Sequence, residues 1–430
     1  MEQYPALMFR RSVFARMTSL TLIAEDVAPR HTSGMNSDSA SAVGRLIALL
    51  ALAVFSGTLV TRLTDPLVTV LARDLGSTTA RTALLATCFA LPFALIQPIL
   101  GPVGDALGKR RVMTVAVGLL SVLLVACAAA PDLESLMVLR GLSGLAAGGL
   151  MPLAIALVGD SAPMHSRQLA LSRLVACAIT GQIAGGSFAG LLEPYLGWRG
   201  VMLAASGVAA VGFTALILGG RGFGAEPRNR FDPLRAMVNY GHLMRLPAAR
   251  MLYISVAVEG GFVFGSFPYF APDLQDRGIG GTAEAGLAVA AFGIGGLIYA
   301  AIAKRVLGSL GQDRMVLLGG LLCLLSYLGF AFAPEAWVFI GAGLVLGTGM
   351  YMIHNSIQTR VTEVAPHARG AAVAMHAFHF FLGQTIGPVV FGLILHHAGA
   401  QTAFLFGGIS LLALALVLGR SGIDRGAATR

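Results

Sequence analysis

Charge is scarce in this chain. Asp, Glu, Lys and Arg make up 12% of its 430 residues while 56% are hydrophobic, and the mean hydropathy is +0.77; ordinary soluble domains carry roughly 25% charged residues. A water-soluble fold is excluded. Cysteine is also sparse: Cys88, Cys127, Cys177 and Cys323 lie inside apolar runs, with no close-spaced pair of the kind a metal or redox centre uses, so they read as packing residues. Gly104 to Lys109 resembles a phosphate loop only superficially. The glycine spacing is wrong, Arg110 follows the lysine where Ser or Thr is needed, and no nucleotide-binding domain accompanies it, which argues against direct use of ATP. A membrane-embedded enzyme or haem-bearing subunit would need facing His pairs within spans or a catalytic cluster in a sizeable loop, and neither is visible. No cofactor is expected, and a proton gradient is the simplest driving force. The first residues lack the continuous apolar core and small-residue cleavage site of a signal peptide.

What the chain has is apolar runs. About twelve lie at roughly 46–70, 82–101, 112–130, 134–157, 169–192, 200–219, 250–273, 283–303, 314–333, 336–357, 371–395 and 402–420, each near the roughly 20 residues that cross a bilayer as a helix. Both termini then share a side. Lys109, Arg110, Arg111, Arg167, Arg221, Arg228, Arg230, Arg235, Arg245, Lys304, Arg305 and Arg369 fall in loops of one face, against little beyond Arg73, Arg81, Arg199 and Arg277 on the other. By the positive-inside rule the termini are cytoplasmic. The net charge of +9 is therefore a topology signal and not a nucleic-acid footprint. The expected organisation is an N-terminal cytoplasmic segment over 1–44 without order, a six-helix bundle over 45–220, a basic linker over 221–249, a second bundle over 250–420 and a tail over 421–430. The stretch before Met35 reads as an upstream extension with the natural start at Met35, the alternative being an amphipathic leader built around Arg10, Arg11 and Arg16.

Between the second and third spans, Gly101 to Met113 reads GPVGDALGKRRVM. Gly101 lets the second span approach a neighbour closely, and Gly104 and Gly108 permit the backbone angles of a short turn. Asp105 can face a helix N-terminus, while Lys109, Arg110 and Arg111 hold the turn on the cytoplasmic side. The spacing of Gly101, Asp105, Gly108 and the basic run resembles the signature between helices 2 and 3 of the major facilitator superfamily. In the fourth span, Arg140-Gly-Leu-Ser-Gly-Leu-Ala-Ala-Gly-Gly is similar to that family's helix 4 signature, with Gly141, Gly144 and Gly148 at small-residue spacing. The resemblance covers about Arg45 to Arg420. It implies an all-α membrane protein of twelve transmembrane helices in two pseudo-symmetric six-helix bundles. It further implies that Asp105, with Arg110 as local partner, braces the N-terminal half against helix 11 and gates, that Asp160 partners the basic loop, and that Arg140 is tied to proton movement. An internal repeat agrees with two halves: Gly181-Gln182-Ile183-Ala184-Gly185-Gly186 corresponds to Gly383-Gln384-Thr385-Ile386-Gly387-Pro388 six spans later, the arrangement of transporters whose halves rock about a midplane site.

Ionisable groups within spans are functional candidates by default. Arg62 and Asp65 lie three apart on one helical face, ahead of a bend at Pro66; they satisfy each other, reach outer headgroups, or act as a substrate ligand and a protonation site. Arg140 and Asp65 both fall in the outer half of their spans, so an ion pair between them is geometrically allowed. Glu259 sits about nine residues into the seventh span, near the midplane, beside Gly260 and Gly261 and before Pro268, where a buried carboxylate can serve a proton-coupled step; the alternative is a carboxylate held by hydrogen bonds within its bundle. His354, Asn355 and Gln358 lie toward the inner end of the tenth span. His376 and His379 lie toward the inner end of the eleventh, at a spacing that is weak for a metal because no nearby Cys or carboxylate completes a set. Gln182, Gln384, Tyr269 and Tyr351 are candidate cavity-lining groups.

The family's exporters often carry Gly-Pro in helix 5; here that proline position is Gly186, and Gly387-Pro388 stands in the eleventh span instead. The loop around Lys304, Arg305, Gly311 and Arg314 is a degenerate copy of the first signature. The expected function is secondary active transport: antiport of protons against small organic molecules or drugs leaving the cell, across a bacterial-type inner membrane, by a monomer that binds no nucleic acid. In it Glu259, Asp65 and Arg140 couple protons, while Arg62, Arg140, Gln182, Tyr269, Tyr351, His354, Asn355 and Gln384 meet substrate. A proton-coupled importer of an organic anion, liganded by Arg62 and Arg140, and a non-transporting sensor are the rivals.

Overall fold

The computed structural model describes residues 37–161, 164–219, 233–365 and 369–420. The proposed start at Met35, the linker residues up to 232 and the tail over 421–430 lie outside the described residues, as do the side chains of Gly101 and Asp105.

With no water to satisfy backbone polar groups, apolar chain must pair them internally, and helices do so within one segment. The described residues form helices joined by short turns, without a strand among them. Among the described residues nine segments are apolar and long enough to cross a membrane, and three of these, Arg173–Gly219, Thr282–Phe332 and Gly370–Arg420, run 47, 51 and 51 residues. Each of the three turns once, at Gly197, Gly311 and Gly399. Divided there, the spans number twelve. The stretch expected to be plain linker contains a further helix, Pro233–Arg245.

The turns reveal the two halves. Glycines with positive φ occur in pairs, Gly76 with Gly278, Gly108 with Gly311 and Gly197 with Gly399, each separated by about 202 residues, the same interval as the Gln182 and Gln384 repeat. A side chain at those backbone angles would be strained. The first and seventh spans break in the same way: Ser37–Thr61 is followed by a 3-10 turn at Asp65–Leu67 and a short helix Val68–Asp74, and Pro247–Gly265 by a turn at Phe267–Tyr269 and Phe270–Asp276. Pro66 and Pro268 lack the amide that an unbroken helix would use. Both breaks therefore follow from one proline placed alike in each half.

Small residues set how closely spans approach. A side chain on Gly185 would strike the backbone of Leu59, and one on Gly387 the backbone of Gly261, so the fifth span lies on the first as the eleventh lies on the seventh. In the fourth span a side chain on Gly144 would strike the backbone of Phe89, and one on Gly148 would lie 3.0 Å from the carbonyl oxygen of Phe93. Aromatic rings fill the C-terminal half, where Phe270, Phe330, Phe339 and Phe404 pack around one another.

The halves meet along the second and eleventh spans and along the fifth and eighth. Thr87 donates to the carbonyl of Thr385 at 2.8 Å, the rings of Phe93 and Phe381 lie 4.1 Å apart, and Gly190 and Gly286 bring two backbones together. The 3-10 turns of the first and seventh spans also touch. These contacts gather toward the end carrying the Gly76 and Gly278 turns. Toward the other end of the fifth span Arg173, Val175, Ala176 and Thr180 are exposed.

Candidate functional site

Arg62 stands where the two halves face each other. Its helix ends at Thr61 because Pro66 lies ahead, and the resulting 3-10 turn carries Asp65 round beneath it. The guanidinium donates from Nη1 to Asp65 Oδ2 at 3.4 Å and from Nη2 to Gln384 Oε1 of the opposite half. It also lies 4.0 Å from the ring centre of Phe264, a distance at which the ring's negative face attracts a cation. Both residues are buried, at 4% and 1% exposure. Arg62 Nε and Asp65 Oδ1 nevertheless have no hydrogen-bond partner.

Beside Arg62 lies a narrow cleft between the halves, walled by Gln182 and Ile183 from the fifth span, Phe267 from the seventh, Phe292 from the eighth and Tyr351 from the tenth. Of the residues expected to meet substrate, Arg62, Gln182 and Tyr351 reach this wall, and Gln384 touches it through Arg62. Four others, Tyr269, Asn355, Arg140 and His354, do not line it. Tyr269 is buried, donates its hydroxyl to the carbonyl of Pro388 at 2.7 Å and stacks on Phe391, so it ties the seventh span to the eleventh. Asn355 lies half-buried on the tenth span, off the lining.

Arg140 is another of the four. It is fully buried, 4.4 Å from the ring centre of Phe89, and donates from Nη2 to the carbonyl of Val60 at 3.1 Å and to Thr64 Oγ1 at 3.5 Å. The ion pair with Asp65 that spacing allowed is not formed among the described contacts. The physical reason is the break ahead of Pro66: the helix tightens there, the Val60 carbonyl keeps a long 3.4 Å bond from the Leu63 amide, and its second lone pair accepts from Arg140. Asp65 is turned to Arg62.

Glu259, fully buried on the seventh span, accepts from or shares a proton with His354 of the tenth, Oε2 to Nδ1 at 2.8 Å. Its Oε1 has no hydrogen-bond partner. The ring of His376, on the eleventh span, lies 5.2 Å from that of His354, and neither of its nitrogens is hydrogen-bonded. His379 instead stacks on Tyr253 at 4.9 Å and bonds the carbonyl of Met375. His354 thus belongs to Glu259 and not to the cavity wall, while Tyr351, one helical turn before it, faces the cavity. The sequence marks Glu259 and His354 as separate candidates, and only the fold pairs them. Among the described residues no group of three or more His, Cys, Asp or Glu is arranged to hold a metal ion.

At the end of the Gly108 turn, where the backbone takes φ 91°, Lys109 Nζ meets Asp160 Oδ2 at 2.8 Å. The second half places the charges the other way round: Asp313, just after the Gly311 turn, accepts from Arg360 of the tenth span at 2.8 Å. Arg110 is half-buried and Arg111 exposed.

A helical membrane protein with paired halves, matching breaks and a cavity at their junction is built as a transporter. The chain belongs to the Major Facilitator Superfamily, whose family model matches residues 50–375 and 283–425. It is similar to the uncharacterized MFS-type transporter YceJ of Bacillus subtilis, 24% identical over 80% of this chain and 88% of that protein. It is also similar to the quinolone resistance protein NorA of Staphylococcus aureus, 23% identical over 82% and 90%. Its fold matches a crystal structure of a variant of the nucleoside transporter NupG with a TM-score of 0.70, at 13% identity over 86% of this chain and 98% of that one.

Proposed function

We propose that this protein exports small organic molecules across a bacterial-type inner membrane in exchange for protons, as a monomer with both termini in the cytoplasm, by exposing one central cavity alternately to each side. The observation that carries the proton is the Glu259–His354 pair. A carboxylate with no exposed surface, one oxygen unpartnered and the other 2.8 Å from an imidazole, has two protonation states that differ in the charge left inside the bundle, and buried charge is what such a bundle resists. Tyr351, one turn away in the cavity wall, puts substrate within reach of that change. The similarity to NorA supports efflux.

The test is proton release from acid-loaded inside-out vesicles on adding cationic, neutral and anionic compounds. Wild type releases protons with at least one class, and Glu259→Gln does not. Equal release by both variants contradicts the role of Glu259. Import of a small organic anion uses the same parts, and Arg62 in the cavity wall is the observation favouring it; no release from inside-out vesicles together with anion-driven proton uptake by right-side-out vesicles would decide for import.

A further inference from the structure

We infer that the central cavity takes a small organic monoanion with an apolar, flat or branched body, its anionic group held by Arg62; this rests on the reading that the cavity is the transport site. Four features point to that chemistry.

First, among the described residues Arg62 is the charged side chain of the lining, and no carboxylate lines the cavity with it. A cationic ligand would approach the guanidinium and not its counter-charge Asp65, which stands 3.4 Å from Nη1 and off the lining, and repulsion in a poorly screened interior is several times that in water. Second, the guanidinium is under-satisfied. It has five N–H donors in a planar fork, yet its Nε has no partner and its approach to Asp65 is 3.4 Å, longer than the roughly 2.7–2.9 Å of a charge-assisted bond. A carboxylate offers the two parallel acceptors that such a fork fits.

Third, the remaining wall is apolar apart from Gln182 and Tyr351: Ile183, Phe267, Val289 and Phe292 surround them. A ligand with a charged end and an apolar body satisfies both parts, and the two polar side chains can bond a hydroxyl on that body. Fourth, Arg62 binds Gln384 of the other half. An anion that takes the Nη2 donor from Gln384 replaces a bond across the halves with one to itself, so its binding loosens the junction on which the halves must separate.

The test compares benzoate, benzamide and benzylammonium, which share a ring and differ in charge. Their affinities are measured by titration calorimetry on purified full-length protein in detergent, with no proton gradient present. Benzoate is expected to bind at least 10-fold more tightly than benzamide, with no heat from benzylammonium. Arg62→Gln is expected to lose benzoate binding at least 10-fold, and Arg62→Lys to keep part of it. Because Arg62→Gln strands Asp65, the double variant Arg62→Gln with Asp65→Asn removes both charges and is expected to elute as a single species while still failing to bind. Benzylammonium binding as tightly as benzoate, benzoate binding unchanged in the monodisperse double variant, or no binding by benzoate at all would each overturn the inference. Proton release driven by neutral or cationic compounds in vesicles would survive such a result, so antiport and anion selectivity fail separately.

Discussion

A charged side chain at the centre of a membrane helix costs about 2.5–3.5 kcal/mol on insertion scales, and this protein offsets that cost differently at each position. Arg140 is packed against Phe89 and bonded to Val60 and Thr64, which fits it to hold the fourth span against the first. Arg62 is bonded to both halves and bordered by the cavity, which fits it to respond to a ligand. Glu259 has one partner, His354, and one bare oxygen. Replacing His354 by Ala strands both oxygens, and an unsatisfied buried acceptor costs about 1–3 kcal/mol. Thermal unfolding in detergent is expected to show that loss. Adding Glu259→Gln is expected to return part of it, so that the two changes fail to add by about 0.5 kcal/mol or more, as residues in direct contact do. Strict additivity would mean that the pair does not interact in the folded protein.

Helix against helix, glycine decides the distance. A side chain on Gly185 would meet the backbone of Leu59, whereas one on Gly207 would meet nothing within 4 Å. Gly185→Ala is therefore expected to cost about 1–3 kcal/mol through overpacking. Gly207→Ala is expected to be neutral or to gain up to about 1 kcal/mol from helix propensity. Melting temperatures read by fluorescence-detected size exclusion separate the two. Equal melting temperatures would show that the first and fifth spans are not in close contact.

The same scale shows how far the sequence could be read. The spans, the prolines that break the first and seventh of them, the turn at Gly108 and the repeat of Gln182 in Gln384 are all local patterns, carried by hydropathy, a missing amide or a motif spelled twice. The pairing of Glu259 with His354 joins residues 95 positions apart. It depends on the rotation of two helices about their axes, and hydropathy leaves that rotation open in a bundle with apolar surfaces on most sides. Arg140 shows the complementary limit. Depth in the membrane puts it level with Asp65, but the backbone carbonyl of Val60, only loosely bonded by the Leu63 amide, competes for its guanidinium, and counting residues does not register a carbonyl as a rival acceptor. The hydroxyl makes Tyr269 a candidate cavity group in the sequence, but the carbonyl of Pro388 takes that hydroxyl's proton in a hydrogen bond.

At the scale of the molecule, two halves built alike meet along four spans, with their contacts gathered toward the Gly76 and Gly278 end and a cavity at the junction. Rigid halves of this kind exchange access by rocking, and the bonds that hold one end shut, Arg62 to Gln384 and Thr87 to Thr385, must then break together. The most direct measurement is the distance between paired spin labels across the halves, in a background with the four cysteines replaced. One pair is placed at Thr78 and Asp276, near the contacting end, and the other at Leu107 and Leu307, all exposed positions. In liposomes, as pH and added substrate are varied, two populations are expected: one with the first pair close and the second far, the other with the relation reversed. A single population in which both distances stay fixed under every condition would contradict alternating access.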